Sequence, residues 1–447
     1  MVLSLLFAVG LGILVIIYFF WGTAWAKSPY NTLLYTNGEL TRAGVITDRN
    51  GTILAETING KRVYNSDVSI RKSTIHLVGD PFGYIGTGLH SSYFSALTGY
   101  GPINGSFSVH GTGNNIELTL DSTVCSAALK ALGKYSGTVG VYNYKTGETI
   151  CMVSTPTYDY NSASDTAKAK NGTYNGVFVN RFISSTYTPG STFKIVTAAA
   201  AIDTFSDAYT RTYTCKGGTT INGEWLACAG NHGTLTLKDA FAYSCNSYFS
   251  QLALDLGKDK LAEYAKKFGF NDSYSISGIP CATSQYQVGS ANQISLAWSG
   301  IGQYTDLINP LQYLTSIGAI ANKGVPVKPY FIKSIKGGFE FNTNLNLLKN
   351  GSRVLSTSTA NKVSELMDYA VQKNYKKSTF GSINVCGKSG TAEVEIGKEP
   401  NSLFVGFVDD DTLPLAFIVV VEGGGSGNSS AMTIANTVLQ ASKKSLN

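Results

Sequence analysis

The sequence predicts a mixed α+β/α/β chain in three parts: an N-terminal membrane-spanning helix, a β-rich segment, and a larger domain built on one sheet. Residues 2–26 contain no charged side chain. Strand-like patterns occur at 137–155 and again at 402–424, whereas helical patterns dominate from about 191 to 268. Strands at both ends of a region with helices between them favour a single sheet, assembled from distant segments and covered by helices.

Composition restricts the class of protein. The chain has 447 residues, 43% of them hydrophobic and 14% charged, which favours folded domains with large cores over disorder. A formal charge of +6 suits a protein working near an anionic surface. The basic residues form no Lys/Arg stripe, so nucleic-acid binding is not expected.

The N-terminal 26 residues predict a membrane anchor. The run LLFAVGLGILVIIYFFWGTAW is long enough to cross a hydrocarbon core of about 30 Å. Trp21 and Trp25 fall where an interfacial aromatic belt lies, and Lys27 follows at once. The tripeptide 24–26 also has the A-x-A form of a signal-peptidase site, so cleavage stays open. A retained anchor over residues 1–26 is favoured because the apolar stretch exceeds an ordinary signal-peptide core.

The next segment, residues 27–115, is expected to be a β-rich pedestal that serves interaction or dimerisation. It is rich in Gly, Ser, Thr, Asn and Tyr, and it shows many turn signals but no sustained helical period. Within it, AGVITDRNGTILAET predicts two short strands joined by a turn at 48–51.

Residues 116–447 are expected to form the larger domain. The stretch IELTLDSTVCSAALKALGKY predicts a strand followed by a helix, with Asp121 or Ser122 as its N-cap. A hairpin turning at 145–147 follows. The run LAFIVVV is apolar on both faces, as a central strand is, and SAMTIANTVLQASKKS predicts a final amphipathic helix.

The seven cysteines show no CxxC spacing, so neither a zinc ribbon nor a thioredoxin-like motif is predicted, and we expect no metal and no cofactor. Cys215 and Cys228 flank a Gly-rich stretch, TCKGGTTINGEWLAC, which predicts a hairpin. A disulfide between these two cysteines and two unpaired thiols are equally open, because a sequence does not give the Cα separation.

The candidate nucleophile is a serine activated by a lysine. The chain has four histidines, none beside a G-x-S-x-G motif, which disfavours a Ser-His-Asp hydrolase. Ser191 and Lys194 occur in TYTPGSTFKIVTAAAAI, where 189–190 predicts a turn and the serine opens a helix. The lysine then lies one turn along on the same face, within reach of the hydroxyl. The helix N-terminus favours negative charge on the serine oxygen.

Order and context make this pair specific, because S-x-x-K alone is close to a chance event. Three elements follow one another along the chain: Ser191-Thr192-Phe193-Lys194, Ser244-Cys245-Asn246 and Lys388-Ser389-Gly390-Thr391. Three other tripeptides or tetrapeptides share their forms but lack the flanking context, and we assign them no role: Ser69-Ile70-Arg71-Lys72, Ser382-Ile383-Asn384 and Lys145-Thr146-Gly147.

With these three elements in this order, the chain resembles the class B (monofunctional) penicillin-binding proteins, which are D,D-transpeptidases. The flanks YTPGSTFK, YSCNSYF, GKSGTAE and NPLQY extend the likeness, and AGVITDRNGTILAE resembles the early segment of class B members. The resemblance covers most of the chain. It implies a transpeptidase domain with a central antiparallel sheet covered by helices, plus an all-helical subdomain. Thr188 and Ser389 depart from the commoner acidic residue and threonine of the family.

The resemblance also implies catalytic roles. Ser191 would attack the carbonyl of a D-Ala-D-Ala stem peptide, and Lys194 would take its proton, which requires a lysine pKa lowered by burial and by Lys388. Ser244 would relay a proton to the leaving D-alanine, and Asn246 would orient Lys194 and the substrate amide.

The third motif would bind the substrate. Lys388 and Ser389 would hold its carboxylate, and Gly390 would let the strand approach closely. Backbone N–H groups of Ser191 and Thr391 would form the oxyanion hole.

The family resemblance further implies partners and location. The substrates would be peptidoglycan stem peptides, and β-lactams would acylate the serine. Residues 27–116 leave no room for a glycosyltransferase domain, so a SEDS-type membrane glycosyltransferase is the expected partner. The chain would sit in the bacterial cell membrane with a single span and an extracytoplasmic catalytic domain.

Two other interpretations stay open. A serine β-lactamase shares the fold and the motifs, but it would need a group that activates water for deacylation. A β-lactam sensor or a non-catalytic scaffold of a wall-synthesis complex belongs to a different class. Rapid turnover of a penicillin would distinguish a β-lactamase from a transpeptidase. The absence of covalent labelling would identify a non-catalytic scaffold.

Overall fold

The computed structural model describes residues 2–28, 30–32, 34–36, 39–101, 105–106, 113–337, 351–375, 377–394, 397–426 and 430–446. The α-helices in this part of the chain are α1 Val2–Ala26, α2 Val68–Val78, α3 Leu89–Ser92, α4 Phe94–Thr98, α5 Ser122–Leu132, α6 Ala163–Lys170, α7 Arg181–Ser184, α8 Lys194–Thr204, α9 Leu237–Ala242, α10 Asn246–Lys267, α11 Gln293–Ser299, α12 Pro310–Ala321, α13 Thr357–Ala370 and α14 Ser430–Leu446. Shorter helical turns span Gly190–Phe193, Val371–Tyr375 and Lys377–Phe380.

The strands of the same residues are short except in one sheet. They are β1 Tyr35–Thr36, β2 Glu39–Leu40, β3 Ile46–Thr47, β4 Ile53–Ile58, β5 Lys61–Tyr64, β6 Tyr100–Gly101, β7 Gly105–Ser106, β8 Asn115–Leu118, β9 Gly137–Asn143, β10 Thr149–Thr155, β11 Tyr213–Cys215, β12 Gly218–Ile221, β13 Glu224–Ala227, β14 Gly233–Leu235, β15 Ser275–Ile276, β16 Ile279–Pro280, β17 Ile332–Lys336, β18 Val385–Ala392, β19 Asn401–Val408 and β20 Leu415–Val421.

The described residues divide into two compact units. Over its described residues, the first comprises Met1–Thr119, Thr157–Thr173 and Ile332–Leu345. The second comprises Leu120–Pro156, Tyr174–Phe331 and Asn346–Asn447. The predicted boundaries at 27–115 and 116–447 stay predictions about domain organisation, and the first unit takes in two later segments that the sequence did not associate with it.

The first unit is built on a five-stranded sheet with strand order β17-β8-β3-β4-β5. The predicted hairpin over AGVITDRNGTILAET is present, because β3 pairs antiparallel with β4 across the turn at 48–51. The segment also contains helix α2, which the sequence analysis missed. Asp67 caps it by accepting hydrogen bonds from the N–H groups of Ser69 and Ile70, and Gly79 ends it with a φ of 82°.

The predicted anchor, residues 1–26, coincides with helix α1. Most of its described apolar side chains are exposed, with Leu3 82% accessible. Counted over the described residues, no helix is both long and apolar enough to cross a membrane. The transmembrane helix of the predicted fold class stays a prediction.

The second unit is built on an antiparallel sheet with strand order β10-β9-β20-β19-β18. The predicted joining of distant segments is observed, since β20 pairs with β9 over its full length and with β19 over six residues. Strand β20, the predicted central strand, lies third of five and is buried at every position. One face of the sheet packs on α5 and α14, and the face that carries Tyr142 packs on α7 and α12.

The region between the sheet strands is only partly helical. Helices α8 to α12 form the predicted helical part, but six short strands, β11 to β16, interrupt it. The prediction of an all-helical subdomain is therefore wrong, whereas the predicted predominance of helix between 191 and 268 is observed, because α8, α9 and α10 occupy more of this range than the short strands do. Gly-rich turns in residues 213–235 favour hairpins there, and β12 pairs with β13 in the hairpin predicted between Cys215 and Cys228. Both of these cysteines are free.

Candidate active site

The first motif lies on a tight turn that leads into helix α8. Gly190 adopts a φ of 52°, which glycine tolerates, and a Cβ there would lie 2.4 Å from the carbonyl oxygen of Thr391. Ser191 follows in the 3-10 turn Gly190–Phe193, and Lys194 is the first residue of the α-helix proper. The sequence placed the serine at the helix start, whereas the structure inserts this 3-10 turn. The predicted proximity is observed, with Lys194 Nζ 3.0 Å from Ser191 Oγ.

The side chain of Lys194 is fully buried and faces the second motif. Its Nζ lies 2.6 Å from the Ser244 carbonyl oxygen, 2.7 Å from Asn246 Oδ1 and 3.2 Å from Ser244 Oγ. Burial, reinforced by the charge of Lys388, lowers the pKa of Lys194 well below its ordinary value. A neutral amine has two N–H donors and one lone pair. The two shortest contacts are to pure acceptors, so the lone pair is left to accept the Ser191 hydroxyl proton.

The second motif joins helices α9 and α10 in a strained backbone conformation. Ser244 has a φ of 56°, in the left-handed region that L-residues rarely adopt. Cys245 is the N-cap of α10, and its Sγ accepts a hydrogen bond from the Tyr248 N–H at 3.4 Å. The side chain of Asn246 is held in place because its amide nitrogen donates to the carbonyl of Ala227 at 3.0 Å.

The third motif lies on β18, the edge strand of the sheet. Lys388 is fully buried, and its Nζ lies 2.9 Å from Ser244 Oγ and 3.0 Å from the Ser389 carbonyl oxygen. Burial lowers the pKa of Lys388 to about 7. The lysine is therefore poised to gain or lose its proton near neutral pH, according to what occupies the groove.

The remaining predicted residues of this motif pack against the serine turn. A Cβ at Gly390 would lie 2.8 Å from the carbonyl oxygen of Pro189, so only glycine allows the strand to approach this closely. Ser389 and Thr391 line the same cleft as Ser191 and Ser244. The structure thus brings all eight predicted site residues to one place, while their individual catalytic roles stay predictions.

The cleft has a volume of about 460 Å³. It combines a hydroxyl nucleophile, amide and hydroxyl groups, and aromatic and apolar walls. Its lining residues are Ser191, Ala227, Cys228, Ala229, Tyr243, Ser244, Asn246, Trp298, Ile301, Gln303, Asn374, Ser389, Thr391, Glu393 and Ser426. This space suits a small acyl donor with an extended chain.

The three look-alike motifs lie elsewhere. Residues 69–72 are in helix α2 of the first unit. Residues 145–147 form the turn between β9 and β10, and residues 382–384 precede β18. The positions agree with the decision to assign them no role.

Sequence reasoning missed Tyr375. Its hydroxyl lies 2.9 Å from Ser389 Oγ and 3.4 Å from Lys388 Nζ, and it accepts the backbone N–H of Ser389 at 3.1 Å. Tyr375 thereby holds the third motif in place. No sequence signal pointed to it, because the contact depends on the π-helical turn Val371–Tyr375 after α13.

Sequence reasoning also missed a cluster of three cysteines and a histidine beside the cleft. These residues have the spacing C-x12-C-x3-H-x12-C, and a search for CxxC alone passes over it.

Comparison with known proteins gives relatives of one kind. At 29% identity, a peptidoglycan D,D-transpeptidase PbpA of Mycolicibacterium smegmatis matches over 357 residues, which are 74% of this chain and 72% of that protein. The stage V sporulation protein D of Bacillus subtilis is 31% identical over 69% of this chain and 50% of its own length.

Solved structures agree with these relatives. Penicillin-binding protein A of M. tuberculosis, solved as a ceftriaxone acyl-enzyme complex, superposes with a TM-score of 0.79 at 25% identity. The superposition covers 90% of this chain and 98% of that one. The D,D-transpeptidase domain of a peptidoglycan glycosyltransferase from Eggerthella lenta gives a TM-score of 0.78 at 27% identity, over 91% and 99% of the two chains.

The family description "Penicillin binding protein transpeptidase domain" matches residues 137–440. This range contains all three motifs and more than half of the chain. The resemblance that the motifs predicted is confirmed: the chain belongs to the penicillin-binding protein transpeptidase family, whose named relatives are serine acyl-transfer enzymes.

Proposed function

We propose that this chain is a peptidoglycan D,D-transpeptidase that cross-links stem peptides through an acyl-enzyme on Ser191 and is itself acylated by β-lactams. The observation that carries the proposal is the buried Lys194 amine, 3.0 Å from Ser191 Oγ. Its two short contacts to acceptor oxygens leave the lone pair for the serine proton.

Acylation begins when Ser191 Oγ attacks the carbonyl of the D-Ala-D-Ala bond and Lys194 accepts the hydroxyl proton. The backbone N–H groups of Ser191 and Thr391 stabilise the oxyanion, with a typical contribution of about 3 kcal/mol per donor. As the tetrahedral intermediate collapses, the C–N bond breaks. Ser244, in contact with Lys194 and Lys388, passes a proton to the departing D-alanine amine.

Deacylation completes the cross-link. An amine from a neighbouring stem peptide attacks the acyl-enzyme, loses its proton to the same base, and releases Ser191. Lys388 and Ser389 hold the terminal carboxylate of the donor, because a cation and a hydroxyl beside an edge strand form a suitable anion site. Asn246 positions Lys194 from one side and the substrate amide from the other.

A fluorescent penicillin tests the proposal. We expect a covalent, slowly released label on the wild-type chain, and a labelling rate at least about 1000-fold lower in Ser191→Ala. Ser69→Ala is the matched control, because it removes the serine of the other S-x-x-K sequence. A wild-type chain that takes up no label would contradict the proposed nucleophile and favour a scaffold.

The rate of drug release tests the β-lactamase alternative. A transpeptidase keeps the label for many minutes and exchanges D-amino acids on a stem-peptide substrate. Rapid catalytic hydrolysis of the penicillin without exchange would favour a β-lactamase. Label that is stable but accompanied by no exchange would favour a sensor.

We further propose that residues 1–26 anchor the chain as a single span in the bacterial cell membrane, with the catalytic unit extracytoplasmic. The supports are the uncharged sequence from Val2 to Ala26 and the exposed apolar surface of helix α1, including Leu3 and Phe7 at 82% and 74% accessibility. The expected partner is a SEDS-type membrane glycosyltransferase that supplies glycan strands.

Deleting residues 2–26 tests the anchor. We expect the full chain to sediment with membranes and to require detergent for release, whereas the deletion variant stays in the supernatant and keeps its penicillin label. A deletion variant that still sediments with membranes, or a full chain that does not, would contradict an anchor at this position.

A further inference from the structure

Three cysteines and one histidine converge beside the active-site cleft. Cys215 ends strand β11, Cys228 follows β13, His232 precedes β14, and Cys245 caps helix α10. Their sulfur and nitrogen atoms all lie within 4.8 Å of one another. Four separate segments thus present one soft ligand atom each to a common point.

The distances between these atoms match a tetrahedral metal site. The imidazole Nδ1 of His232 lies 3.6 Å from Cys215 Sγ and 3.5 Å from Cys228 Sγ, and the sulfurs of Cys228 and Cys245 are 3.9 Å apart. Zinc at about 2.3 Å from sulfur and about 2.0 Å from nitrogen gives edges of about 3.8 Å for two sulfurs and about 3.5 Å for sulfur and nitrogen. These three edges agree with a zinc-sized centre, and the remaining edges are no longer than 4.8 Å.

Backbone N–H groups at the start of helix α10 donate to the sulfurs of two of the three cysteines. The backbone N–H of Asn246 donates to Cys228 Sγ at 3.2 Å, and that of Tyr248 donates to Cys245 Sγ at 3.4 Å. Both donors belong to the first turn of α10, where the helix dipole adds positive potential. Outer hydrogen bonds of this kind orient metal ligands.

The ring of His232 is held in place as well. It stacks on Tyr243 with ring centroids 5.7 Å apart and an interplanar angle of 11°. Its Nδ1 faces the sulfurs, so the neutral ring can offer a lone pair to a metal without moving. One present contact must be given up, since the Cys215 thiol donates to the Gly230 carbonyl at 3.3 Å.

We propose that Cys215, Cys228, His232 and Cys245 bind one zinc ion in a closed Cys3His site. Three thiolates and an imidazole are the donor set that structural zinc takes, and four protein ligands leave no open position for catalysis. The ion would tie together the paired strands β11 and β14, the β12–β13 hairpin and the start of α10.

The site has a direct consequence for the cleft. Cys245 lies between Ser244 and Asn246, so a metal bond to its sulfur fixes the strained backbone of the second motif. Cys228 lines the cleft itself. The ion therefore acts as a positioning element for the proton relay, and it makes no contact with substrate.

A disulfide is the competing use of the same atoms. Any two of these cysteines could oxidise, and Cys215 with Cys228 is the pair that the sequence suggested. A disulfide consumes two of the four ligands, so the two arrangements exclude each other and can be told apart by counting thiols and metal.

Metal analysis of the purified full chain tests the site. The chain is expressed without an affinity tag that binds metal and is analysed by plasma mass spectrometry, with thiols titrated after denaturation. We expect one zinc and seven titratable thiols per chain. Prolonged treatment with 1,10-phenanthroline should lower the thermal midpoint, and one equivalent of zinc chloride should restore it.

Variants supply the matched comparison. Cys215→Ser should lose the zinc, whereas Cys281→Ser, outside the cluster, should retain it. Should Cys215→Ser fail to fold, cobalt(II) added to the metal-free wild-type chain gives a second measurement. We expect the intense visible absorption of tetrahedral thiolate coordination, which disappears on adding zinc.

The proposal would be overturned by a wild-type chain that holds no metal and fails to bind added zinc or cobalt, or by five titratable thiols with a mapped disulfide within the cluster. Metal content does not depend on transpeptidation, so these results are independent of the proposed function.

Penicillin labelling of the metal-free chain then measures how far the ion affects acylation of Ser191. We expect labelling of the metal-free chain to be at least about tenfold slower than that of the zinc-loaded chain.

Discussion

At the scale of single residues, the cleft depends on two buried lysines that share one hydroxyl. Lys194 and Lys388 both lie within 3.2 Å of Ser244 Oγ, and each is fully buried. Two ammonium groups at such separations repel each other and lack water to screen them. Lys194 is therefore the partner that stays neutral, because burial and the charge of Lys388 both lower its pKa.

The pH dependence of acylation tests this division of charge. The groups facing Lys194 are Lys388, which lowers its pKa, and Cys228 and Cys245, which oppose that effect. Lys194 is reactive when neutral, so kcat/KM for a penicillin should rise with pH at a midpoint well below the ordinary lysine value of 10.5. Lys388 holds the drug's carboxylate when charged, so kcat/KM should fall again near its pKa of about 7. The midpoints of the two limbs are apparent pKa values of the coupled pair Lys194 and Lys388, not of either residue alone.

Stopped-flow acylation between pH 4 and 10 gives this profile. Lys388→Gln should remove the falling limb and move the rising limb upward, since the neighbouring cation is gone. A wild-type profile that climbs steadily to pH 10 would show that Lys194 is charged at neutral pH and would contradict its role as base.

At the scale of elements, the first unit depends on one buried ion pair that joins distant segments. Arg71 of α2 donates from Nε and from one terminal nitrogen to the two carboxylate oxygens of Asp159, at 2.8 and 2.7 Å. Both side chains are nearly buried, with 7% and 13% accessibility. Arg71 also donates to the carbonyls of Asn65 and Ser66, so it connects helix α2, the preceding loop and segment 157–173.

Removing the carboxylate should be costly. Asp159→Ala leaves a buried, unpaired guanidinium, and we expect it to lower the free energy of unfolding by about 3 kcal/mol. Lys260→Gln is the control, because it breaks an exposed ion pair with Glu263 that should contribute less than about 0.5 kcal/mol. Urea unfolding followed by fluorescence measures both. Equal losses in the two variants would contradict the importance of the buried pair.

At the scale of the whole molecule, the sheet that carries Lys388 is held together by a late strand, β20, which joins its two parts. Strand β20 lies between β9, from the start of the second unit, and β19, next to β18. All seven of its residues are buried. A chain without β20 therefore keeps every motif residue but loses the connection between the two halves of its sheet.

Truncation tests this dependence. A chain that ends at Val408 retains all eight predicted site residues, yet we expect its penicillin labelling to fall at least about 100-fold and its near-ultraviolet circular dichroism to be lost, because two buried strand edges are exposed. Full-length protein is the reference. A truncated chain with normal labelling would show that the cleft forms independently of β20.

Much of the fold and the site was predictable from local signals. The pair Ser191 and Lys194 follows from helical spacing, and β20 from an unbroken apolar run. Helix α2 was missed because its apolar period is weak and Asp67, a sound N-cap, precedes no clear hydrophobic stripe. The hairpin of β12 and β13 was predicted from its Gly-rich turn, whereas the pairing of β11 with β14 was missed because both strands are only three residues long.

Features that arise from contacts between distant segments were not predictable. Tyr375 reaches Ser389 only because a helical turn after α13 lies against β18. The convergence of Cys215, Cys228, His232 and Cys245 likewise needs the β11–β14 pairing, the β12–β13 hairpin and a helix start, and no spacing rule for adjacent cysteines describes it. The family resemblance supplied the motif roles but carried no information on either feature.

The chain of contacts from Ser191 Oγ to Lys194 Nζ, Ser244 Oγ and Lys388 Nζ has links of 3.0, 3.2 and 2.9 Å. Every member belongs to the protein, so the first chemical step draws on no carrier from the bulk solution. A bulky antibiotic that fills the cleft entrance and expels water leaves these proton-transfer contacts intact, and the covalent bond to the serine still forms. Deacylation does need an acceptor molecule from solution, and the bound antibiotic blocks its access to the acyl-enzyme. The drug therefore stays bound as an acyl-enzyme, because acylation uses only groups of the protein whereas deacylation needs an acceptor from solution.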